Sequence, residues 1–198
     1  MSPLPDHLLE AVASAAVREG LVDAVFTRLS TPLGRLTVVQ GPDGILRVAF
    51  EEEPEDALLA GVSSLVGPRI VASDRELAAT RDALGAYLEG DRDRLELPVD
   101  FRMVTGPFRR EVLETLHRQV GRGEVVTYGA LAAAAGRPKA TRATGTACAR
   151  NPVPIVVPCH RVLPGSGGIG AYGGGPERKQ ALLDLEGALG AGERQRRQ

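Results

Sequence analysis

The hydrophobic positions in the first fifty residues change from a helical period to a strand period. Apolar residues within 6–19 recur at the spacing of one helix face, which predicts a short helix there. Three apolar stretches follow, VFTRLS, LTVVQ and ILRVAF, separated by Gly34 and by the tetrad GPDG at 41–44. Apolar runs joined by such turns predict an antiparallel meander.

The following fifty residues carry a second set of alternating elements. An acidic run ending at Pro54 predicts a helix that ends near Gly67, and RIVAS predicts a further strand. Aspartate is a residue type that caps helices, so we expect a helix that begins at Asp74 and runs to Gly90. The stretch LELPVDF is interrupted by Pro98, which predicts an edge strand or an extended linker.

Beyond residue 104 the pattern is mostly helical. Pro107 suits the first position of a helix, and FRREVLETLHRQV places its apolar residues on one stripe. The next stretch, GEVVTYGALAAAAGRPKATRATGTACARNP, predicts two short helices around a tight turn at Gly136. We expect the first to be capped near Thr127 and the second to start at Pro138. This pattern is typical of a helix-turn-helix, although helical hairpins that bind nothing share it.

Together these elements predict an α/β fold, of the α+β type, with two domains in a chain of 198 residues. We expect an N-terminal helical extension at 1–24, a first domain at 25–103 and a second domain at 104–189. The tail at 190–198 has no apolar periodicity, so we expect a disordered basic segment there.

The two halves of the chain carry opposite charge. Residues 1–100 hold 9 Lys and Arg against 18 Asp and Glu, whereas residues 101–198 hold 15 against 7. A polyanionic partner would therefore bind the second half, and an unevenly charged but solvated surface is the alternative.

Composition also limits the expected compartment. No apolar stretch approaches the roughly 18 residues of a transmembrane helix, so no membrane association is expected. No basic leader precedes the first apolar segment, which disfavours a secretory signal. Two cysteines are too few for a disulfide framework. We therefore expect a cytoplasmic protein.

The second short helix of the predicted pair combines basic and small residues. Lys139, Arg142 and Arg150 alternate with alanines and a glycine. The backbone of such a helix could approach a partner surface closely while Arg142 reaches into a groove. The alternative is that the small residues pack against another helix and the arginines face water.

The stretch IVVPCHRVL places Cys159 after a proline and directly before His160. A thiol near its ordinary pKa of about 8.5 is mostly protonated at pH 7, so a nucleophilic role requires a base or a positive field. A disulfide with Cys148 is disfavoured in a reducing compartment, and the cysteines and histidines fit no familiar zinc spacing. A buried structural cysteine is the alternative, but the adjacent histidine and the glycine-rich stretch that follows favour a nucleophile.

His160 is the candidate base. Neighbouring residues of an extended strand point to opposite faces, so contact between thiol and imidazole requires a turn at 158–160 or a bridging water. A histidine that acts as a base also needs a carboxylate on its other nitrogen. Glu186 is favoured because a carboxylate at the C-terminal end of a helix needs a compensating partner. Asp184 and Glu177 are the alternatives.

With these motifs the chain resembles the O6-alkylguanine-DNA alkyltransferases. The resemblance rests on NPVPIVVPCHRVL, GEVVTYGALA, RPKATRATG and GAYGGGPERKQALLDLEG and covers about residues 104–187. The N-terminal half is similar only in outline, through STPLGRLTVV and the helix–strand pattern after it. The resemblance implies a small ribonuclease-H-like N-terminal domain, followed by a mostly helical C-terminal domain with a winged-helix-like helix-turn-helix.

The resemblance also implies DNA repair by direct reversal. Cys159 would take a methyl or larger alkyl group from O6-alkylguanine, or from O4-alkylthymine, in double-stranded DNA. The sulfur is not regenerated, so each molecule acts as a methyltransferase only once. The damaged base must be flipped out to reach a nucleophile, and the second helix of the helix-turn-helix enters the minor groove. No cofactor is expected, and we expect a monomer, with cooperative binding on DNA left open.

The resemblance implies a role for each residue that matches the family's motifs. The catalytic set is Cys159, His160, Glu186, Asn151 and Tyr128. The DNA-binding set is Lys139, Ala140, Thr141, Arg142, Gly145 and Tyr128. The substrate pocket is formed by Cys148, Val162, Tyr172 and Gly173.

Within these sets, four residues have distinct implied roles. Arg142 fills the space that the flipped base leaves in the duplex. Tyr128 rotates the 3′ phosphate and hydrogen-bonds the base. The side chain of Asn151 braces the turn beside the site, and a backbone N–H near Gly173 contacts O6.

The relay that the resemblance implies consists of His160 and Glu186, with a water between the imidazole and the thiol of Cys159. The chain departs from the family at two pocket positions. Cys148 stands where some relatives have methionine, which would weaken stacking on the base, and Gly173 stands where some have serine, which would admit bulkier O6 substituents. The N-terminal zinc site of certain relatives has no ligand set here, so no metal is expected.

Overall fold

The computed structural model describes residues 5–188, in two compact units that are divided between Met103 and Val104. Each unit is described by itself. The predicted tail at 190–198 lies outside the described residues.

The first unit contains a four-stranded sheet and three helices. The strands occur in the order β3-β2-β1-β4, with β1 antiparallel to β2, β2 antiparallel to β3, and β1 parallel to β4. The strands are β1 (Ala24–Thr31), β2 (Gly34–Gly41), β3 (Gly44–Phe50) and β4 (Ile70–Ala72). The helices are α1 (Asp6–Arg18), α2 (Glu55–Val66) and α3 (Ala78–Glu89). The predicted meander and the predicted RIVAS strand are therefore confirmed.

The core of the first unit lies where the sheet meets α2. Strand β3 is buried at six of its seven positions, which is typical of a strand covered on both faces. The residues of one buried cluster come from β1, β2, β3 and α2, and they are Ala24, Phe26, Val39, Leu46, Ala49, Leu58 and Val62. Burial of these apolar side chains is the main stabilising term of the unit.

Helix α1 forms where the apolar spacing predicted it, but its apolar face is not the buried face. Leu8, Leu9 and Val12 are 45%, 49% and 66% exposed, whereas Ala13 and Ser14 are buried. Polar contacts attach the helix to the rest of the unit. The hydroxyl of Ser14 donates to the carboxylate of Glu76, in the turn that precedes α3, at 2.6 Å. Helical spacing therefore predicted the element correctly without predicting which face it buries.

The predicted cap at Asp74 is wrong. Helix α3 begins at Ala78, and residues 74–77 form a turn before it. The carboxylate of Asp74 accepts hydrogen bonds from Thr27 of β1 and from Arg81, so it does not face the free amides of the helix. The predicted end of the helix is confirmed, because Gly90 adopts a left-handed conformation (φ 86°) that favours glycine after a helix.

The second unit is mostly helical. Its helices are α4 (Pro107–Gln119), α5 (Tyr128–Ala134), α6 (Thr141–Ala149) and α7 (Pro176–Leu185). Two short parallel strands, β5 (Val126–Thr127) and β6 (Val162–Leu163), pair with each other. Helix α4 packs against α5 and α6, and it buries Val112, Leu113 and Leu116. The α/β fold class is confirmed, with a sheet in the first unit and helices in the second.

The two short helices α5 and α6 pack against each other as the helix-turn-helix pattern predicted. The hydroxyl of Thr127 accepts a hydrogen bond from the backbone N–H of Ala130 at 3.1 Å, so the predicted cap is confirmed. The predicted start of the second helix at Pro138 is wrong by three residues. The N–H of Ala140 donates to the carbonyl of Arg137 and closes a tight turn, and the helix begins only after it, at Thr141.

None of the helices within residues 5–188 is both long enough and apolar enough to cross a bilayer.

Candidate active site

Cys159 lies in a tight turn at the base of a small cavity. Pro158 precedes Cys159–Arg161, which form one turn of 3-10 helix, so the turn at 158–160, one of the two alternatives, is present. The cysteine is only 5% exposed. It contributes to a cavity of about 170 Å³, and the other lining residues are Tyr128, Gly145, Cys148, Ala149, Ala171, Tyr172 and Gly173.

The sequence-predicted pocket is thus brought together, with one exception. Val162 does not line this cavity. It lies in β6, which pairs with β5, and it is fully buried. Gly173 leaves space in the cavity, since a Cβ added there would meet only the carbonyl oxygen of Ala149, at 4.0 Å. The ring of Tyr172 stands edge-on to the imidazole of His160, with 6.3 Å between the centroids.

Asn151 joins the thiol to the backbone around it. Its amide nitrogen donates to the carbonyl of Val157 at 2.8 Å and to Sγ of Cys159 at 3.1 Å. Its carbonyl oxygen accepts from the N–H of Val153 at 3.0 Å. Both ends of the amide are therefore used, and the side chain fixes the path of the loop that leads to the nucleophile.

This loop contains a strained residue that the sequence did not indicate. Ile155 is buried and has a φ of 75°, in the left-handed region that β-branched residues rarely adopt. Such a conformation costs on the order of 1–3 kcal/mol and persists only where the surroundings impose it. The next carbonyl, that of Val156, hydrogen-bonds Nδ1 of His117 from α4 at 3.1 Å. The loop is therefore held from α4 as well as by Asn151.

The imidazole of His160 is paired with Glu186. Nε2 of His160 lies 2.8 Å from Oε1 of Glu186, and both side chains are 0% exposed. Because a carboxylate only accepts, Nε2 carries the proton and Nδ1 holds the lone pair. Nδ1 makes no hydrogen bond within residues 5–188, so the thiol and the imidazole are not hydrogen-bonded to each other.

The structure selects Glu186 from the three candidate carboxylates. Asp184 accepts a hydrogen bond from Gln180 on the same helix, and Glu177 lies in the first turn of α7. Glu186 caps the C-terminus of α7, where it meets His160. A compensating partner was expected for this carboxylate, and His160 is one.

The second partner, Arg161, was missed by the sequence analysis. Its Nε and Nη2 donate to the two carboxylate oxygens of Glu186 at 2.7 and 3.1 Å, and its Nη1 donates to the carbonyl of Val120 at 2.6 Å. Burial alone would raise the pKa of Glu186, but the hydrogen bonds from His160 and Arg161 hold it well below its ordinary value. Glu186 is therefore ionised, and its charge is balanced by Arg161.

The thiol itself is protonated at rest. Burial raises the pKa of Cys159 to about 11, although the hydrogen bond from Asn151 and the charge of Lys179 oppose this rise. Burial raises the pKa of Cys148 to about 12. Burial also lowers the pKa of His160, so the imidazole is neutral and can accept a proton. The site therefore pairs a buried thiol with a neutral base.

Helix α6 connects this cavity to the surface. Gly145 and Cys148 line the cavity, whereas Thr141 and Arg142 are exposed. The guanidinium of Arg142 makes no hydrogen bond or ion pair in the part of the chain that the structure describes. Lys139, in the turn before the helix, is exposed as well, and Ala140 is half-buried beside it.

Tyr128 connects the same surface to the cavity from the start of α5. Its side chain is half-buried and lines the cavity, and burial raises its pKa. A Cβ added at Gly145 would lie 4.0 Å from the Tyr128 ring, so α5 and α6 approach closely here. Helices α5 and α6 therefore line the cavity that contains the thiol, and the exposed Arg142 lies on the same helix as the lining residue Gly145.

Among residues 5–188, no three His, Cys, Asp or Glu side chains are grouped in a way that could hold a metal ion.

Comparisons with known proteins place this site in a family. Residues 24–101 match the model of the ribonuclease-like domain of 6-O-methylguanine DNA methyltransferase, and residues 107–188 match the model of its DNA binding domain. The chain is 38% identical to the methylated-DNA–protein-cysteine methyltransferase of Salmonella typhimurium, over 82% of this chain and 95% of that protein. It is also 38% identical to the human protein of the same name, over 81% of this chain and 79% of that protein.

A solved structure shows the same architecture. The crystal structure of Mycobacterium tuberculosis OGT in complex with DNA has a TM-score of 0.69 at 30% identity, and the match covers 83% of this chain and 93% of that one. Sequence, fold and the arrangement around Cys159 agree, and the chain belongs to the 6-O-methylguanine DNA methyltransferase family.

Proposed function

We propose that this protein repairs DNA by irreversible transfer of an alkyl group from O6 of guanine, or O4 of thymine, to Sγ of Cys159. The observation that carries the proposal is the placement of this thiol, which lines a small cavity and directly precedes a neutral, carboxylate-bound histidine. The family's methyltransferase activity requires an acceptor cysteine, and the only other cysteine, Cys148, has no such neighbour.

The proton of the thiol goes first to His160. Since Nδ1 and Sγ are not hydrogen-bonded to each other, we propose that one water molecule carries the proton between them. The imidazolium that forms is stabilised by Glu186, which stays ionised because Arg161 shares its charge. Asn151 donates to the thiolate that remains.

The thiolate then attacks the alkyl carbon. The new S–C bond forms as the C–O6 bond breaks, and the electron pair of that bond remains on the guanine. The guanine takes up one proton in place of the alkyl group and remains in the DNA, so the thiol proton is balanced by the proton on the repaired guanine. An alkyl thioether is stable to water because its thiolate is a poor leaving group, so the acceptor is not regenerated and each molecule reacts once.

The buried position of Cys159 requires the base to leave the duplex. A nucleophile that is 5% exposed at the base of a cavity cannot reach a stacked base, so we propose that the damaged nucleotide is flipped into the cavity. Arg142, exposed on α6, would occupy the space left in the duplex, with α6 in the minor groove. Tyr128, at the cavity mouth, would turn the backbone phosphate.

The remaining expectations about partners and location belong to the same proposal. The positive second half of the chain supports DNA as partner through Lys139 and the backbone near Ala140 and Thr141. We propose that the protein acts as a monomer in the cytoplasm. Its two free thiols support a reducing compartment.

Intact-mass measurement tests the proposal. The protein is incubated with a duplex that contains one O6-methylguanine, and we expect a gain of one methylene mass, at most once per molecule. The chain offers a matched pair of variants, because Cys159→Ser should gain nothing whereas Cys148→Ser keeps the acceptor and should gain the same mass.

Three outcomes would contradict the proposal. Several turnovers per molecule would indicate a hydrolase that uses the same Cys–His–Glu set. Tight binding to the damaged duplex without a mass gain would indicate a protein that only marks the lesion. A mass gain that persists in Cys159→Ser would move the acceptor elsewhere.

A further inference from the structure

A turn between α4 and β5 meets the C-terminal end of α7. It consists of residues 120–124, and its half-buried Arg122 has no part in the proton transfer described above. Nη2 of Arg122 donates to the carbonyl of Leu185 at 2.8 Å. Leu185 is the last residue of α7, and Glu186 follows it. A guanidinium from another segment therefore holds the residue next to the carboxylate that binds His160.

Arg122 completes the hydrogen bonding at the end of α7. The last four carbonyls of a helix need partners from beyond it. Three of them, at 182–184, accept from the backbone N–H groups of 186–188, and the fourth, that of Leu185, accepts from Arg122. The last turn of α7 contains no basic residue, and the carboxylate of Glu186 lies where the helix dipole is already negative. Arg122 therefore brings a donor and a positive charge to a helix end that has no cation of its own.

The same turn also lies against Glu186 through its backbone. The carbonyl of Val120 accepts from Nη1 of Arg161 at 2.6 Å, and Nε of Arg161 donates to Glu186. A Cβ added at Gly123 would lie 3.2 Å from the carbonyl oxygen of Glu186, so the two backbones approach closely there. The turn therefore contacts Glu186 and also orients the arginine that neutralises it.

We propose that Arg122 is a positioning residue that fixes the C-terminal turn of α7 and thereby keeps the carboxylate of Glu186 against Nε2 of His160. The inference rests on the proposed function, in which His160 takes the proton of the thiol. Helix ends fray unless other contacts hold them, and Glu186 caps such an end. Because a misplacement of about 1 Å can lower a reaction rate by about 100-fold, a relay that begins at a helix end depends on a tie of this kind.

The proton on Nε2 of His160 reports where this carboxylate lies. Nε2 is 2.8 Å from Oε1 of Glu186, and both side chains are fully buried. Burial lowers the pKa of His160, the hydrogen bond with Glu186 raises it, and the charges of Arg161 and Lys179 lower it. A carboxylate that moves away from Nε2 would therefore leave the imidazole neutral and release its N–H proton to exchange with water.

Two variants of Arg122 separate its charge and hydrogen bond from its bulk. Arg122→Met removes the charge and the donors but keeps a long side chain, whereas Arg122→Lys keeps the charge and a donor and should restore the behaviour of the wild type. Arg110→Met is the matched control, because it removes an exposed, ion-paired arginine from α4 in the same unit. Circular dichroism establishes which variants are folded, and Arg122→Gln replaces the Met variant if that one is not.

The readout is the exchange of the imidazole N–H proton of His160 with water, followed by NMR at pH 7 in protein labelled with nitrogen-15 histidine. The chain has only three histidines. His7 is exposed, and His117 directs Nδ1 to a carbonyl, so its proton lies on Nδ1 and its signal serves as the internal reference.

We expect the Nε2 proton of His160 to exchange about tenfold faster in Arg122→Met, a factor that one hydrogen bond to a charged group can supply. Arg122→Lys and Arg110→Met should exchange at the rate of the wild type. An unchanged exchange rate in Arg122→Met, with or without lower thermal stability, would overturn the inference and leave Arg122 a helix cap. An equal acceleration in Arg110→Met would overturn it as well.

A single-turnover assay with a duplex that contains O6-methylguanine measures the consequence for repair. The rate constant at saturating duplex should fall about tenfold in Arg122→Met, with the Kd for the duplex unchanged. A full rate constant in a variant with fast proton exchange would overturn the link between Arg122 and the relay.

The two measurements distinguish failure of this inference from failure of the proposed function, because the NMR experiment needs no DNA. If the wild type takes no methyl group from the duplex but the exchange rates change as expected, the proposed function is wrong and the placement of Glu186 by Arg122 stands. If the duplex reaction proceeds and the exchange rates do not change, the reverse holds.

Discussion

Arg161→Met would remove the guanidinium that pairs with the buried carboxylate of Glu186. In the wild type, Glu186 accepts from Arg161 at 2.7 and 3.1 Å and from His160 at 2.8 Å, and its side chain is 0% exposed. Removal of one partner from a buried ion pair costs about 3–5 kcal/mol, because the other charge stays buried without compensation. A domain is stable by only about 5–15 kcal/mol. The free energy of unfolding should therefore fall by a large fraction.

A double-mutant cycle separates this charge effect from loss of packing. Glu186→Gln removes the carboxylate charge that Arg161 neutralises, so the double variant should recover part of the lost stability. Urea denaturation of the wild type, both single variants and the double variant at pH 7 gives the interaction energy. We expect about 2–3 kcal/mol of coupling, the upper part of the range for residues in contact. Strict additivity of the two substitutions would refute the argument.

The pH dependence gives an independent check. The hydrogen bonds from His160 and Arg161 outweigh burial and hold the folded-state pKa of Glu186 well below the unfolded value of about 4.3. Its contribution is therefore complete above about pH 4.3 and is lost as the pH falls through the folded-state pKa. In Arg161→Met the folded-state pKa rises, so the stability difference from wild type should shrink between pH 5 and pH 3. A difference that stays constant over this range would contradict the assignment.

Three further perturbations test separate parts of the site. Arg142→Ala should slow transfer from duplex DNA far more than transfer from a free alkylated base, and equal losses in the two rate measurements would mean that Arg142 serves folding. Asn151→Ala removes three hydrogen bonds around the loop that carries the nucleophile. The free energy of unfolding, measured by thermal denaturation, should therefore fall by about 1–3 kcal/mol, and Cys159 should react more slowly. An unchanged thiol reactivity would contradict the bracing role of Asn151. Gly173→Val adds atoms where the cavity has space, so the rate of reaction with O6-benzylguanine should fall more than the rate with O6-methylguanine. An equal change in both rates would show that residue 173 does not limit the size of the O6 substituent.

Local signals in the sequence predicted most elements of the fold. Thr127 caps α5 because a threonine hydroxyl satisfies a free amide of the first turn, and Gly90 ends α3 because glycine tolerates a left-handed backbone. Local signals failed where a distant residue competed for the same group. Asp74 is of the capping type, but Thr27 and Arg81 bind its carboxylate instead.

Burial could not be predicted from the same patterns. The apolar face of α1 matches a core-facing helix, yet Leu8, Leu9 and Val12 remain exposed. Periodicity describes one helix, whereas burial depends on which surface that helix meets. In α1 the buried residues are the small Ala13 and Ser14, and Ser14 adds a hydrogen bond to the rest of the unit.

The sequence by itself determined the chemistry of the site. A cysteine beside a histidine after a proline indicated a nucleophile, and a helix-end carboxylate indicated a paired acid. The resemblance of the surrounding motifs to the alkyltransferases supplied the reaction. These conclusions depend on residue type and on neighbours along the chain, which the sequence contains in full.

Only the tertiary structure decided which groups act on that chemistry. It selected Glu186 as the partner of His160, and it revealed that Arg161 balances this carboxylate and that the buried Lys179 donates to the carbonyl of Val162. Glu186 is 26 residues from His160 in the chain, and Lys179 is 17 residues from the Val162 carbonyl that holds it. The pKa of a buried group depends on the charges and hydrogen bonds within a few ångströms of it, and the packing of α7 against the 3-10 turn brings those groups together.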